Sequence, residues 1–267
     1  MKNNKLTAKL SIAWTLFMWI PMTSAADIPK VYTVSYPLAY FAERIAGDHA
    51  NIVFPVPADL DPAFWNPNAA IINQFQQADL ILLNGASYAK WVDNVSLPRS
   101  KLIDTSANFK EFYLTADKNA THSHGLEGDH SHGDVHFTTW LDLSMAAKQA
   151  EAINAAFAAS FPEHKTDFQD NYSVLEEELL SLDQQLKSVV SAAPPHPLLA
   201  SHPVYQYLAK RYDLNIQSVL WEPDKFPDEK QWAELGQFVA NHPASIIIWE
   251  GAPLQMTIDR LQSMGIN

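Results

Sequence analysis

Apolar positions along the chain alternate between short β-branched runs and longer stretches with helical spacing, the pattern of strand–helix units packed around parallel sheets. Val31 to Ser35 reads as a strand. Pro37 opens a helix with Leu38, Phe41 and Ile45 on one side, and Gly47 stops it. Ile52 to Val56 is the next strand. A Pro/Asp-rich loop then leads to a helix that starts at Pro67 and turns Ile71, Ile72 and Phe75 inward. Asp79 to Leu83 has the continuous apolar character of a buried parallel strand and is closed by Asn84-Gly85. Lys101 to Ile103 is a weaker fourth strand.

The pattern then changes. Residues 116–134 carry no apolar periodicity, and a mobile segment is expected there. An alanine-rich helix, Ser144 to Ser160, follows. In the next helix Phe168, Tyr172, Leu175, Leu179, Leu182, Leu186 and Val189 recur at steps of four and three, so one apolar seam runs for about 35 Å. Ala192-Ala193-Pro194-Pro195 ends it. Alternation resumes with strands at Pro197 to Ala200, Ile216 to Leu220 and Ser245 to Trp249, and helices at Val204 to Tyr212, Asp228 to Asn241 and Leu254 to Met264. The expected fold class is α/β: two lobes with small parallel sheets, joined by a long backbone helix. The expected boundaries are a signal peptide at 1–25, an N-terminal lobe at 26–142 that includes the His-rich loop, connecting helices at 143–192, and a C-terminal lobe at 193–267.

The first residues have a separate explanation. Lys2, Lys5 and Lys9 precede an apolar stretch from Leu10 to Met22 and the small residues Thr23-Ser24-Ala25-Ala26, as in a secretory signal. The stretch is shorter than the ~20 residues that span a bilayer, so cleavage rather than anchoring is expected, with release into a periplasm. Loss of three lysines takes the formal charge from -12 to about -15. Such an acidic protein repels nucleic-acid phosphates and anionic lipid surfaces and attracts cations. The sequence has no cysteine. That excludes disulfides, thiolate metal sites, a cysteine nucleophile and a lipid-modified cysteine, and leaves His, Asp and Glu as metal ligands.

Ligands of open parallel sheets sit beyond the carboxyl ends of the strands. Those positions hold Asp59 and Asp61 after the second strand, and His202, Glu222 and Glu250 after the three strands of the second lobe. Oxygen and imidazole donors from both lobes would converge on one cleft, as a zinc- or manganese-type cation requires. His202 sits at a strand-to-helix corner between Leu198-Leu199-Ala200 and Pro203. A second concentration, His122, His124, His130, His132 and His136, is interleaved with Glu127, Asp129 and Asp134 and suits loose capture of zinc. His136 lies at its edge, close enough to Trp140-Leu141-Asp142 to join the main site. His49, His164, His196 and His242 read as surface or capping residues, and Trp221, Trp232 and Trp249 as core or cleft wall. Phosphate-binding glycine loops, a Gly-flanked Ser elbow and a His-Glu-x-x-His helix are all absent from the sequence.

These residues resemble a family, the secreted substrate-binding proteins of zinc and manganese ABC importers, the ZnuA-like or TroA-like group. The resemblance is carried by Asp61-Pro62-Ala63-Phe64-Trp65-Asn66-Pro67, by Gln77-Ala78-Asp79-Leu80-Ile81-Leu82-Leu83-Asn84-Gly85, by the acidic His-rich loop, by Trp140-Leu141-Asp142, and by Ser201-His202-Pro203-Val204-Tyr205-Gln206-Tyr207-Leu208 with Arg211-Tyr212. It implies two α/β lobes bridged by a long helix with the metal between them. His202 matches one family ligand. Ala63 and Thr138 stand where the family usually has histidines, which leaves Asp59, Asp61 and His136 as substitutes. The family's last acid would fall beyond Asn267, so the resemblance implies an incomplete second lobe, or Glu222 or Glu250 in that role.

The function implied is non-enzymatic: a monomer that captures zinc, or alternatively manganese, and delivers it to an ABC permease, with affinity falling as pH drops through the histidine range. Two other readings stay open. One is a metal buffer that uses only the His-rich loop. The other is a metal-dependent hydrolase in which Asp61, His202 and Glu222 supply two ligands and a base.

Overall fold

The computed structural model describes residues 28–58, 60–115, 121–123, 129–131, 135–192 and 196–267. The signal segment at 1–25, Asp59, His124, His132 and Pro194-Pro195 lie outside the described residues, as do the side chains of His122 and His130.

The first half is built on a parallel sheet with strand order β2-β1-β3-β4. Its strands are β1 (Lys30–Thr33), β2 (Asn51–Val53), β3 (Leu80–Leu83) and β4 (Leu102–Asp104). Helix α1 (Tyr36–Ala46) follows β1 and α2 (Ala69–Gln77) follows β2. Pro37 presets the first turn of α1, and Leu38, Phe41 and Ile45 are buried, as their spacing predicts. Gly47 ends the helix at φ 54°, a backbone region costly for a residue with a Cβ. In α2 only Phe75 is fully buried; Ile71 and Ile72 are half-buried, because the helix lies at the edge of the core. Phe75 packs between Tyr32 and Trp91, with both ring centroids 4.9 Å away. β2 is shorter than its apolar run, and Pro55 removes a donor just beyond it.

Two helices then cross the molecule. The alanines of α3 (Leu143–Ser160) let it pack closely on α4 (Lys165–Ala192) and α1. In α4, Phe168, Tyr172, Leu175 and Leu179 are buried as expected, but the seam does not continue through Leu182 and Val189, which are exposed. Asp183 is buried in their place. The second lobe offers this turn a cation rather than an apolar surface: Arg211 bonds Asp183 through Nε at 2.9 Å and Nη2 at 2.8 Å, and Lys187 and Tyr212 also donate to it.

The second sheet is parallel, with order β8-β7-β9, from β7 (Leu198–Ala200), β8 (Ile216–Ser218) and β9 (Ile247–Ile248). Helices α5 (Gln206–Tyr212), α6 (Glu229–Asn241) and α7 (Gln255–Ser263) complete it. Asp228 and Gln231 form a capping box that starts α6. Trp221 and Trp232, with centroids 4.7 Å apart, fill this core with Leu199 and Leu235. His242 is buried rather than superficial, and its Nε2–H donates to the Leu198 carbonyl at 2.9 Å.

Within the His-rich segment, where a mobile loop is expected, two short strands are described. β5 (Thr121–Ser123) and β6 (Asp129–Ser131) pair antiparallel, with His122 opposite His130. Backbone pairing of this kind needs no apolar face, which is why hydropathy alone missed it. No helix among the described residues is long and apolar enough to cross a membrane.

Candidate metal centre

The carboxyl ends of β7, β8 and β9 bring three candidate residues together. His202 follows β7 by two residues, Glu250 follows β9 by two, and Glu222 stands on the loop after β8. His202 is 6% exposed, so its imidazole is held by neighbours rather than by water. Its Nδ1 lies 3.0 Å from Glu250 Oε1 and its Nε2 lies 3.5 Å from Glu222 Oε1. Both carboxylates are only partly exposed. The Glu250 backbone N–H also donates to Ser201 Oγ, which fixes the β9 end beside the β7 end.

This arrangement acts on the imidazole in two opposed ways. Burial disfavours the charged ring, while the hydrogen bond and charge of Glu250 and the charge of Glu222 favour it, and the acids win, so the pKa lies above the ordinary histidine value. Each ring nitrogen thus faces a carboxylate, and a divalent cation can take the place of a proton at one of them.

Facing this group across a cleft of about 330 Å³ is the first lobe. Asp61 lines it, together with Phe64 and Tyr88. The Asp61 carboxylate also accepts the Ala63 N–H at 2.8 Å, which turns the chain at Asp61-Pro62-Ala63 and keeps the side chain in place. Ala63 itself is buried in the first core, so its position contributes packing and no ligand. Burial and the charge of Asp61 push the Tyr88 phenol above its ordinary pKa, and burial with the charge of Glu250 does the same to Tyr205 on the opposite wall. Phe137, Thr138 and Trp140 close the side of the cleft. Tyr88 packs edge-on against Phe137 and Trp140 at 5.2 and 5.6 Å.

The two residues after His136 line this cleft, and the backbone of His136 is fixed beside it: its N–H donates to Leu114 O at 2.8 Å, and its carbonyl accepts from the buried Tyr207 hydroxyl at 3.1 Å. Thr138 Oγ1 donates to the Val204 carbonyl, and Arg211 Nε reaches Asp142 at 3.4 Å. These contacts tie the segment after the His-rich loop to α5, the helix that follows His202. Tyr88 and the Phe137 ring are wall residues that the sequence did not single out, while Thr138 and Tyr205 were marked only by the family resemblance.

The chain is 28% identical over 226 residues to the zinc-binding lipoprotein AdcA of Streptococcus pneumoniae, covering 83% of this chain and 45% of that protein. It is 25% identical over 252 residues to the high-affinity zinc uptake system protein ZnuA of Bacillus subtilis, covering 90% of this chain and 76% of that one. The chain thus spans about half the length of the AdcA proteins it matches. In fold it is similar to the Zn(II)-bound ZnuA-like domain of Streptococcus pneumoniae AdcA, with a TM-score of 0.76 at 24% identity, covering 89% of this chain and 84% of that domain. The model of the ZnuA family, zinc-uptake complex component A, periplasmic, matches residues 31–263, and the chain belongs to that family.

Proposed function

We propose that this protein captures a divalent cation, zinc in the first place, in the cleft between its two lobes and hands it to an ABC permease. The observation that carries the reading is the buried imidazole of His202 between Glu222 and Glu250, opposite Asp61. Neutral imidazole and carboxylate are suitable zinc donors, and imidazole favours zinc over manganese. His202 and Glu250 supply donors from the second lobe and Asp61 one from the first. Glu222, 3.5 Å from the other ring nitrogen, accepts its N–H once the metal is bound and fixes the tautomer, as outer partners of metal-bound histidines do. His136 lies outside this set, at the clamped base of the His-rich segment.

Residues 1–25 act in this reading as an export signal. Residues 26–142 and 193–267 are the two ligand-presenting lobes, with 143–192 connecting them, and the protein works as a monomer in the periplasm. A relative is named a lipoprotein; these 267 residues contain no cysteine to carry a lipid. Binding and release, with no bond made or broken in a substrate, is the whole of the chemistry. The His-rich segment 116–134 serves as a looser collecting arm.

Zinc titration of the full chain and of the chain lacking residues 116–134 separates this reading from that of a His-loop buffer. A tight site that survives the deletion is expected. Loss of all tight binding with the loop would sink the cleft reading.

A further inference from the structure

Two histidines that read as unremarkable turn residues meet at the other end of the first lobe. His49 ends the turn between α1 and β2, just before the amino end of β2, whereas the cleft lies beyond the carboxyl ends of the strands. His164 and Asp167 belong to the α3–α4 turn and the first turn of α4, three residues apart and so on one side. One donor atom from each of the three lies within 4.8 Å of the other two, and this is the only such trio among the described residues. His49 Nε2 is 2.9 Å from Asp167 Oδ2. The His49 and His164 rings stack with centroids 3.8 Å apart and 17° between planes.

The frame around the trio is fixed. Both rings rest edge-on against the fully buried Phe168, at 5.9 and 6.0 Å. Asn171 Nδ2 donates to the Ile45 carbonyl at 3.1 Å and so locks α4 to the end of α1 beside His49. The ligand-bearing side chains are less constrained, since His49 and His164 are partly exposed and Asp167 is exposed.

We propose that His49, His164 and Asp167 form a second divalent-cation site, separate from the cleft, for an ion of borderline softness such as zinc. Two imidazoles and a carboxylate are a three-ligand zinc set with a fourth position left to water. Bond lengths of about 2.0–2.1 Å put tetrahedral donors roughly 3.3 Å apart, a spacing inside the 4.8 Å within which the three donor atoms lie. Parallel rings cannot both aim their lone pairs at one ion. Binding therefore tilts the stacked pair open and inserts the ion between His49 and Asp167. The ion would pin the α1–β2 connection to the α3–α4 turn.

Histidine NMR on the full chain tests this, with Zn2+ as the titrant and the two resonances assigned from their loss in His49→Gln and His164→Gln. The expected result is that the His49 and His164 ring protons shift together, with one midpoint, and leave the positions set by mutual stacking. Asp167→Asn, an exposed change that spares the fold, should weaken that midpoint by at least about tenfold. His49→Gln should abolish the response of His164 at that midpoint. Separate midpoints, no response, or a His164 response indifferent to both variants would overturn the site. His202→Ala is expected to leave the response intact, so failure of the cleft reading and failure of this site give different results.

Discussion

His202 is held by Glu250 across two parallel strand ends, Nδ1 to Oε1 at 3.0 Å, while its other ring nitrogen faces Glu222 at 3.5 Å. A histidine gripped at both nitrogens has its plane set by its neighbours, and one of those neighbours must yield when a metal binds. In the proposed site Glu250, which lines the cleft, takes that part, and Glu222 is the orienting partner. Glu222→Gln should therefore weaken zinc binding by roughly tenfold while the stoichiometry stays the same. Isothermal titration of the variant checks this, and a lost equivalent of zinc would make Glu222 a ligand instead.

The raised pKa of His202 has opposite consequences with and without metal. A group whose folded pKa exceeds its unfolded value stabilises the fold fully below the unfolded value, about 6.5 for histidine. That contribution is lost as pH rises through the folded pKa. The metal-free chain should thus lose stability from His202 as pH rises above about 6.5, and His202→Gln should flatten that part of its Tm profile. Zinc needs the ring deprotonated at its ligating nitrogen. Its apparent affinity should fall, with proton release on binding, as pH drops through the raised value, and Glu222→Gln should move the onset to lower pH.

Asp61→Asn is a clean test of the first lobe. Asparagine keeps the oxygen that accepts the Ala63 N–H, so the turn survives, but the charge is removed. Zinc affinity should drop by about tenfold or more with Tm unchanged. Unchanged affinity would place the first-lobe donor elsewhere.

Asp183 predicts a stability effect remote from the cleft. Its hydrogen bonds to Arg211, opposed by burial and aided by Lys187 and Tyr212, hold its carboxyl well below the usual range. A depressed folded pKa gives stability that is present above the unfolded value of about 3.9 and lost as pH falls toward the folded one. Asp183→Ala leaves Arg211 without this partner and should cost about 3 kcal/mol, measured by urea unfolding at neutral pH. The same variant should lose the part of the acid sensitivity that lies below about pH 3.9.

Most of the fold was legible because local periodicity and burial agree. Leu38, Phe41 and Ile45, or Phe168 through Leu179, announce buried helix faces, and the run Leu80-Ile81-Leu82 a buried strand. The seam of α4 misled at Leu182 because the surface facing that turn carries Arg211, a fact of tertiary structure that hydropathy along one helix does not contain. In the site, position after a parallel strand was enough to find His202, Glu222, Glu250 and Asp61 as neighbours of the cleft region. Tyr88, Thr138 and Tyr205 lie in turns and irregular segments with no period to mark them. His49 read as a surface or capping residue for another reason: its contact with Asp167 depends on how α1 meets the α3–α4 turn, and the turn residues themselves look ordinary.

The most direct test of the central claim is a calorimetric zinc titration of the full chain beside His202→Ala, with bound metal counted in each. The account predicts a tight site in the unmodified chain and a loss of more than about tenfold in its affinity when the imidazole is removed. Equal affinity in the two proteins would contradict it and would take the metal out of the cleft.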